Sequence, residues 1–476
     1  MIDAARRSAT HDADRAPYGA VLLAMAAVTL AGTLQSTGGV LTPIGLLGIS
    51  VLLAELWTAR IIWNSGTSPF SNALMLGAVG LQIPLLINDP LTSLMSSATR
   101  QQYVMFVLAG GATSILLLVV APRAQRLLLA ISAAFAFAIG VTVINGLPRP
   151  QIDVLQFQTE SARALLRGIS PYSITFHDPY SAAESAQFYG PGVSVGGVLK
   201  FGYPYMPLTL MLALPGYLAG DVRYASLGAV VVASILIARA RPSRSSTIAA
   251  LLLLLTPALP FMVLVAWSDT YVVLLLAAVW YAQCRAPRLV PYVIGLLFAS
   301  KQYLVIATPL ILLLIPRPWS AMALWRFAWR TAAAGSFVTL PFLVWDFAGF
   351  MHSVVWLQFR QPFRHDALSY LAWLNPAQPG KWLVLPFLLT GGTVGVLLRG
   401  STRRAVSFPL ALGLSMLPFF AFNKQAFFNY YFFILGCVCC AIASESALAV
   451  TLAPDIITVQ RDETPEPLPL QSGQAL

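Results

Sequence analysis

Long apolar runs recur along almost the whole chain, and they constrain its fold more than any other feature. Runs of about 17–25 residues, enough to cross the hydrocarbon core of a bilayer, return from residue 17 to residue 448. Of the 476 residues, 58% are hydrophobic and only 10% are charged. A soluble globular domain carries roughly 25% charged residues. The pattern therefore predicts an all-α polytopic membrane protein with about 13–15 membrane helices.

The arginines predict which side of the membrane each loop faces. With the N-terminus inside, 18 of the 25 arginines fall on the inner side, and all four lysines fall on the outer side. Basic residues resist translocation, so the Arg-rich side is predicted to be cytoplasmic. The net charge of +11 has the same explanation, and no nucleic-acid partner is expected. The spans used are 17–34, 40–58, 71–88, 103–121, 127–145, 224–238, 246–265, 270–284, 289–300, 302–316, 327–345, 382–398, 405–422 and 427–448.

For two segments, the apolar sequence alone does not determine whether they cross the membrane as retained helices. The first apolar run, 17–34, is expected to be a retained anchor, because no small-residue cleavage site clearly follows it. Residues 206–219 form an apolar run of only 14 residues that contains Pro215. A full crossing there would move the arginines at 239–244 to the outer side. A re-entrant or interfacial helix is therefore preferred, and a short true span is the alternative.

The first outer loop begins with a carboxylate and a helical pattern, "QIDVLQFQTESARALLRGISPY" at 151–172. Pro150 can start a helical turn, which places Asp153 near a helix N-terminus, where the backbone dipole favours a charged carboxylate. Apolar residues then recur at helical spacing opposite Gln158, Glu160 and Arg163, so an amphipathic surface helix is expected, ending at Gly168. Asp153 is either a solvated capping residue or a reactive group.

Two ionisable residues interrupt the apolar sequence of later spans. Asp269 in "VAWSDTYVVLL" and Lys301 in "GLLFASKQYLVIATPLILLL" lie where a charge is costly and usually functional. The apolar runs on either side of Lys301 are short, which predicts a broken helical pair near the outer surface. A compact ammonium suits a phosphate. An internal Asp269–Lys301 ion pair is the alternative, and both hold if the pair relaxes when a phosphate binds.

Further candidates occur in the outer loops. Tyr203 and Tyr205 follow a glycine-rich stretch and are either interface-belt residues or a substrate platform. His365 adjoins Asp366, although adjacent residues rarely face one another on a helix. Lys424 ends an aromatic span, either as an anion ligand or as a residue that extends to lipid headgroups. Arg360 and Arg364 are candidates for phosphate or surface contacts, and no motif for a metal or nucleotide is present, so no cofactor is expected.

The order of these motifs resembles a known superfamily. An outer loop with an early Asp is followed by "ARALLRGISPY", "FGYPYMPLTLMLALPG" and the segment that contains Lys301. This order is similar to that of the GT-C superfamily of integral-membrane glycosyltransferases, in particular the bacterial polyprenyl-phosphate-mannose-dependent mannosyltransferases. The likeness covers residues 127–316 and, in outline, 405–448. The family's usual Tyr-Pro-Pro reads "YPYMP" here.

The resemblance implies a fold, a reaction and a location. The fold would be a GT-C-like helical bundle in which the long first outer loop is catalytic. The reaction would be an inverting, metal-independent transfer of mannose or another hexose or pentose. The sugar would pass from a polyprenyl-phosphate donor to a lipid-linked or cell-envelope glycan acceptor, at the outer face of a bacterial plasma membrane, with both termini cytoplasmic. Membrane lipids would be the other partners. A transporter or flippase for lipid-linked sugars is the alternative, although these often show internal repeats, and none is visible.

The resemblance also assigns roles to residues and parts of the chain. Asp153 would be the general base, and Lys301 and Lys424 would contact the donor phosphate. Supporting or substrate-binding roles are expected for Glu160, Tyr172, Tyr203, Tyr205, Asp269, Gln302, His365 and Gln425. The expected parts are a cytoplasmic tail (1–16), extra membrane helices (17–126), the GT-C-like core (127–345) with outer loop 146–205, a second outer loop (346–381), C-terminal membrane helices (382–450) and a disordered cytoplasmic tail (451–476).

Overall fold

The computed structural model of the protein describes residues 15–62, 66–118, 120, 122–400 and 406–459, and these are mostly helical. Within them, seven helices are long and apolar enough to cross a membrane, or eight if one bent pair counts as a single span. By the length and composition of its helices, the chain is thus an all-α multi-pass membrane protein, as predicted. The expected number of 13–15 membrane helices is larger because several predicted spans are helices of only 10–17 residues.

The N-terminal part contains five helices. Local sequence sets where several of them begin. The Thr42 hydroxyl accepts a hydrogen bond from Gly45 N, and the Ser96 hydroxyl accepts one from Thr99 N, so both residues cap the helix that follows. The helices are α1 (Tyr18–Thr37), α2 (Pro43–Ile61), α3 (Ser71–Ile87), α4 (Ser97–Ile115) and α5 (Pro122–Gly146), with 3-10 turns at Pro90–Leu94 and Leu116–Leu118.

The first outer loop folds into a small unit of its own. It contains α6 (Asp153–Leu166), β1 (Phe176–His177), α7 (Ala182–Tyr189), β2 (Ser194–Val195) and β3 (Val198–Leu199). The strands form an antiparallel sheet in the order β1-β3-β2, which the sequence did not predict because each strand has only two residues. Helix α6 ends as predicted, with Gly168 at φ +71° beyond its last turn.

The short apolar segment after this loop does not have the length of a crossing. Helix α8 (Pro207–Leu218) has 12 residues and is therefore about 18 Å long, against about 30 Å of hydrocarbon. The next helix, α9 (Arg223–Ala240), starts beside the end of α5. There Arg223 Nη2 donates to Ile144 O (3.3 Å) and Tyr224 Oη donates to the Asn145 side chain (2.9 Å). Helix α8 therefore ends at the same end of the molecule as the outer loop.

Helices with breaks make up the middle of the chain. Helices α10 (Arg244–Leu254) and α11 (Ala258–Leu264) are bent by 49° relative to one another. They are followed by α12 (Asp269–Arg285), a 3-10 turn (Pro287–Leu289), α13 (Val290–Phe298) and a 3-10 helix (Gln302–Leu314). Lys301 occupies the break between the last two, where the sequence predicted a broken helical pair.

The remaining helices enclose a second outer segment. Helix α14 (Ala321–Trp345) leads into it, and α18 (Leu385–Gly400), α19 (Phe408–Ala421) and α20 (Phe428–Val459) follow it. Of the predicted tails, 1–16 and 451–476, residues 1–14 and 460–476 lie outside the described residues. Helix α20 continues to Val459, past residue 451, where the disordered tail was predicted to begin. The second outer segment contains α15 (Phe347–Phe350), a π-helix (Met351–Trp356), α16 (Leu357–Arg360), α17 (Tyr370–Leu374) and a 3-10 turn (Pro379–Trp382).

Arginines from different loops gather at one end of the bundle. Arg285 Nε donates to Arg239 O (3.3 Å), which joins two of these loops. Arg317 and Arg399 line one groove beside Trp319. The two outer segments meet at the opposite end, so the separation that the arginine pattern predicts is present in the fold. Which end is cytoplasmic stays a prediction.

Candidate functional site

A cavity of about 490 Å³ lies where the two outer segments meet. Its wall comes from the start of α6, the loop before α8, the break at Lys301, the second outer segment and the turn between α19 and α20. Gly38 and Val40, from the turn after α1, complete it. Among the candidate residues from the sequence, the cavity brings together Asp153, Tyr205, Lys301, Arg364, Asp366 and Gln425; the other candidates lie behind it or away from it.

Asp153 is the first residue of α6 and faces this cavity. Tyr189 Oη donates to its Oδ2 (2.5 Å), and Val154 N donates to its Oδ1 (2.7 Å). Its own backbone N–H donates to Tyr180 Oη (3.4 Å). Burial raises the pKa of Asp153 above its ordinary value of 3.8, while these hydrogen bonds and the charge of Arg364 oppose the rise. The carboxyl group is therefore held in place and is a better proton acceptor than an exposed aspartate.

Helix α6 is anchored by a residue that was predicted on its polar, outward side. Gln158 is fully buried, and its Nε2 donates to the carbonyl oxygen of Ala266. Ala266 has φ +59°, an uncommon conformation for a residue other than glycine. Its carbonyl oxygen thus lies within reach of α6, and the amide of Gln158 replaces the contact with water that the prediction assumed. The prediction that Gln158 lies on the solvent-facing side of α6 is therefore wrong.

A buried carboxylate organises the rest of the loop. Asp178 accepts hydrogen bonds from Ser185 Oγ (2.5 Å), Ser194 Oγ (2.5 Å) and Tyr180 N (3.1 Å). Burial opposes its ionisation, but these bonds outweigh burial and lower its pKa. Asp178 therefore ties α7 and β2 together and fixes the position of Tyr180. No sequence pattern marks this role, because the last of the three partners, Ser194, lies 16 positions after Asp178.

Lys301 and Asp269 form an ion pair at the inner wall of the cavity. The Nζ to Oδ2 distance is 3.1 Å, and the side chains are only 8% and 0% exposed. Asn429 Nδ2 donates to Asp269 Oδ2 (2.8 Å), and Tyr303 Oη donates to Asp269 Oδ1 (3.0 Å). Asp269 therefore lies behind Lys301 and not on the cavity surface. The ion pair that the sequence left open is formed.

The tyrosines of the "FGYPYMP" stretch have different positions. The Tyr205 ring faces the cavity, and Lys301 Nζ lies 4.8 Å from its centre. Tyr203 is fully buried and its hydroxyl shares a hydrogen bond with Thr209 (2.9 Å). Tyr172 Oη donates to Tyr205 O (3.0 Å) from the aromatic core of the loop. Gln302 Nε2 donates to Pro204 O (3.2 Å), so these contacts hold the Tyr205 ring against Lys301.

A second cation lines the cavity beside Asp153. Arg364 pairs with Asp366 through two hydrogen bonds, from Nε (2.8 Å) and from Nη2 (2.7 Å). Its guanidinium lies 4.1 Å from the ring centre of Phe188 and 4.7 Å from that of Phe427. The pairing leaves Nη1 outside the contact with Asp366. The sequence placed Arg364 only among general phosphate or surface contacts, because the two rings come from distant parts of the chain.

Lys424, Gln425 and His365, the three residues predicted in the later loops, lie in different places relative to the cavity. The Lys424 ammonium donates to Gln358 O (3.0 Å) and Gln361 O (2.7 Å), so it binds the backbone of the second outer segment. Burial lowers its pKa. Gln425 faces the cavity. The His365 side chain is exposed and is not part of the cavity lining, and its ring centre lies 5.0 Å from that of Phe363. The neighbouring Asp366 is paired with Arg364.

Glu160 lies outside the cavity, in an adjoining pocket, where it accepts a hydrogen bond from Gln156 Nε2 (3.0 Å). Tyr180 and Tyr189, which contact Asp153, are not among the residues predicted from the sequence. Both stand in ordinary loop sequence, 27 and 36 positions after Asp153, with no motif to mark them.

Comparison of the chain with protein family models, curated proteins and solved structures gave no match. The functional argument therefore depends on the geometry of the site.

Proposed function

We propose that the protein is a membrane glycosyltransferase of the GT-C type, which moves a sugar from a polyprenyl-phosphate donor to a lipid-linked or cell-envelope glycan acceptor. Asp153 is the general base, and Lys301 and Arg364 contact the donor phosphate. One observation carries the proposal: Asp153, a carboxylate held by hydrogen bonds, lines the same cavity as two cations, Lys301 and the Asp366-paired Arg364, at the loop end of a helical membrane protein. The order of motifs along the chain, which resembles the GT-C superfamily, supports it.

The proposed step needs one base and no covalent intermediate. The acceptor hydroxyl oxygen forms a bond to the anomeric carbon as the bond from that carbon to the phosphate oxygen breaks. The hydroxyl proton passes to Asp153, and the departing polyprenyl phosphate keeps the electron pair. The raised pKa of Asp153 favours this transfer, because a more basic carboxylate takes a proton more readily.

The two cations suit the leaving group. A negative charge develops on the phosphate oxygen, and nearby cations lower the energy of that state. Lys301 is paired with Asp269, and Arg364 with Asp366, so neither adds an uncompensated charge to the cavity wall. Each retains a donor beyond its ion pair, since an ammonium has three N–H groups and Nη1 of Arg364 is outside its pair. The phosphate is then bound by directed hydrogen bonds between the two ion pairs.

The test is transfer by the purified protein in lipid nanodiscs. Radiolabelled polyprenyl-phosphate sugars are incubated with an envelope lipid extract, and the wild type is compared with Asp153→Asn. The expected loss on substitution is about 10²–10⁴-fold, the usual contribution of a general base. Glu184→Gln, at an exposed carboxylate of the same loop outside the cavity, is the matched control, and its residual activity should follow its folded fraction. Undiminished transfer by Asp153→Asn would exclude this base.

A sealed-vesicle measurement separates the proposal from a transporter. Movement of an intact labelled lipid-linked sugar across the bilayer, with no new glycan product, would favour a flippase and contradict the proposed transfer. The position of the ionisable groups at one end of the bundle favours the enzyme. Transporters place such groups near the middle of the membrane.

A further inference from the structure

A second pocket, of about 410 Å³, adjoins the cavity at the start of α6. The two share Pro150, Gln151 and Ile152, and Asp153 is the next residue along the chain. The pocket therefore begins on one side of this strip, while Lys301 and Arg364 lie on the cavity side. A molecule that extends from the pocket across the strip therefore enters the cavity beside Asp153.

The lining of this pocket differs from that of the cavity. The cavity wall includes ten Phe, Tyr and Trp side chains besides Asp153 and its cations, whereas the pocket has none of these rings. Its polar surface comes from the outward face of α6 and from the segments on either side of it. The polar residues include Arg149, Gln156, Thr159, Glu160, Arg163 and His177.

The charge balance of the pocket is positive. Arg149 and Arg163 oppose the single carboxylate of Glu160, and neither arginine forms a salt bridge within the described part of the chain. Arg149 Nη2 donates to Thr159 Oγ1 (3.3 Å), which holds its guanidinium at the pocket. Asp221 lies near enough for the charge of Arg149 to lower its pKa, but its carboxylate is bound by Arg223 through Nε (3.0 Å) and Nη2 (2.8 Å). Two guanidinium groups thus remain for an anionic ligand.

We propose that this pocket is the acceptor subsite and that it takes a saccharide carrying an anionic group, a carboxylate or a phosphate. That the bound saccharide is the acceptor of the reaction rests on the proposed function. That the ligand is an anionic saccharide rests on the pocket alone. Guanidinium groups recognise carboxylates and phosphates through paired hydrogen bonds, and the amides and hydroxyl of α6 suit sugar hydroxyl groups. The terminal sugar lies across Pro150–Ile152 with one hydroxyl at Asp153.

Binding tests the ligand class without any transfer. The full-length protein in nanodiscs is titrated with trigalacturonate and with its fully methyl-esterified form, followed by saturation-transfer NMR. Esterification removes the negative charge of each carboxylate and adds a methyl group, and it leaves the saccharide backbone unchanged. The charged form should bind more tightly to the wild type, and the preference should fall by about three- to tenfold in Arg149→Ala/Arg163→Ala, because exposed charge contacts are individually weak. Arg167→Ala, an exposed arginine of the same loop outside the pocket, should keep the preference.

Several results would overturn this inference. Equal binding of both probes by the wild type is one, and an unchanged preference in the double variant is another. A third is equally tight binding of sn-glycerol 3-phosphate, because the pocket would then serve phospholipid headgroups and not saccharides. The inference is supported if the preference for charged over esterified trigalacturonate falls in the double variant and is kept in Arg167→Ala.

Transfer assays keep the two proposals apart. The double variant should raise the acceptor KM with little change in kcat, while Asp153→Asn should lose transfer and keep charge-dependent binding. Charge-dependent binding with no transfer by the wild type would remove the proposed function and leave the anionic-saccharide site. Transfer with an unchanged acceptor KM in the double variant would remove the subsite and leave the enzyme.

Discussion

Lys301 Nζ lies 3.1 Å from Asp269 Oδ2, and almost none of either side chain is exposed. Removing one partner of such a pair leaves a buried charge, so Asp269→Asn should destabilise the protein by about 3–5 kcal/mol. Asp269→Asn/Lys301→Met should recover much of that stability but not activity. Thermal unfolding in detergent measures the first effect, and the transfer assay measures the second. Full activity in the double variant would show that Lys301 has only a structural role.

The pH dependence of transfer should depend on Tyr189. Its hydroxyl donates to Asp153 and lowers the pKa of that carboxyl, against the rise caused by burial. The base must be ionised, so the acid limb of kcat/KM should lie above the ordinary value of 3.8. In Tyr189→Phe the limb should move to higher pH by about one unit, the worth of one hydrogen bond to a charged group.

The control for this prediction is Tyr224→Phe, whose hydroxyl donates to Asn145 at the end of α5. That variant should keep the wild-type pH profile. A Tyr189→Phe limb that stays in place or moves to lower pH would contradict the assignment of Asp153 as the titrating base.

Lys424 should affect stability more than donor binding. Its ammonium donates to two carbonyl oxygens of the second outer segment, so Lys424→Gln should cost about 1.5–3 kcal/mol of stability. Farnesyl phosphate, a short analogue of the donor lipid, should inhibit this variant as it inhibits the wild type. In Lys301→Met, the inhibition constant of farnesyl phosphate should be about tenfold higher than in the wild type. The reverse pattern would restore Lys424 as the phosphate ligand.

The glycines after α1 test whether the N-terminal helices belong to the site. Gly38 and Gly39 both have positive φ, but a Cβ at Gly38 meets nothing, while one at Gly39 would lie 2.5 Å from Phe428 N. Gly38→Ala should therefore cost about 1–2 kcal/mol, and Gly39→Ala about 1–3 kcal/mol more. Only Gly39→Ala should also displace the cavity wall and lower activity. Equal unfolding temperatures for the two variants would contradict this packing.

Chemical labelling tests which end of the bundle faces outward. In a Cys284→Ser background, Ala183→Cys in α7 should react with a membrane-impermeant maleimide on intact cells. Ala321→Cys, at the start of α14, should react only after permeabilisation. Both positions are exposed, and the three remaining native cysteines are buried. The opposite labelling pattern would invert the topology that the arginines predict.

The sequence predicts the features that depend on local pattern. The positions of the apolar helices, the end of α6 at Gly168 and the break at Lys301 follow from run length, glycine and charge along one stretch of chain. The count of long helices differs because Lys301, Pro309 and Pro418 lie inside apolar sequence, and the helices there break or stay short.

Contacts between distant segments are what the sequence leaves unpredicted. Tyr189 reaches Asp153 because the first outer loop folds back on itself, and Arg364 lies beside Asp153 because the two outer segments meet. No spacing rule links positions so far apart. Gln158 looks like a surface residue until Ala266 turns its carbonyl oxygen toward it. The same applies to the sheet of the first loop, whose strands are too short to show alternation.

The short helix α8 determines on which side of the membrane every later loop lies. Each full crossing exchanges the two sides of the membrane for everything that follows. Because α8 ends beside α5 at the loop end, the chain after residue 218 keeps its sidedness. A polytopic protein with an apolar insertion of about eight residues here would gain one crossing. The loop with Asp153 would then lie on the opposite side of the bilayer from Lys301 and Arg364, and no single cavity could contain all three.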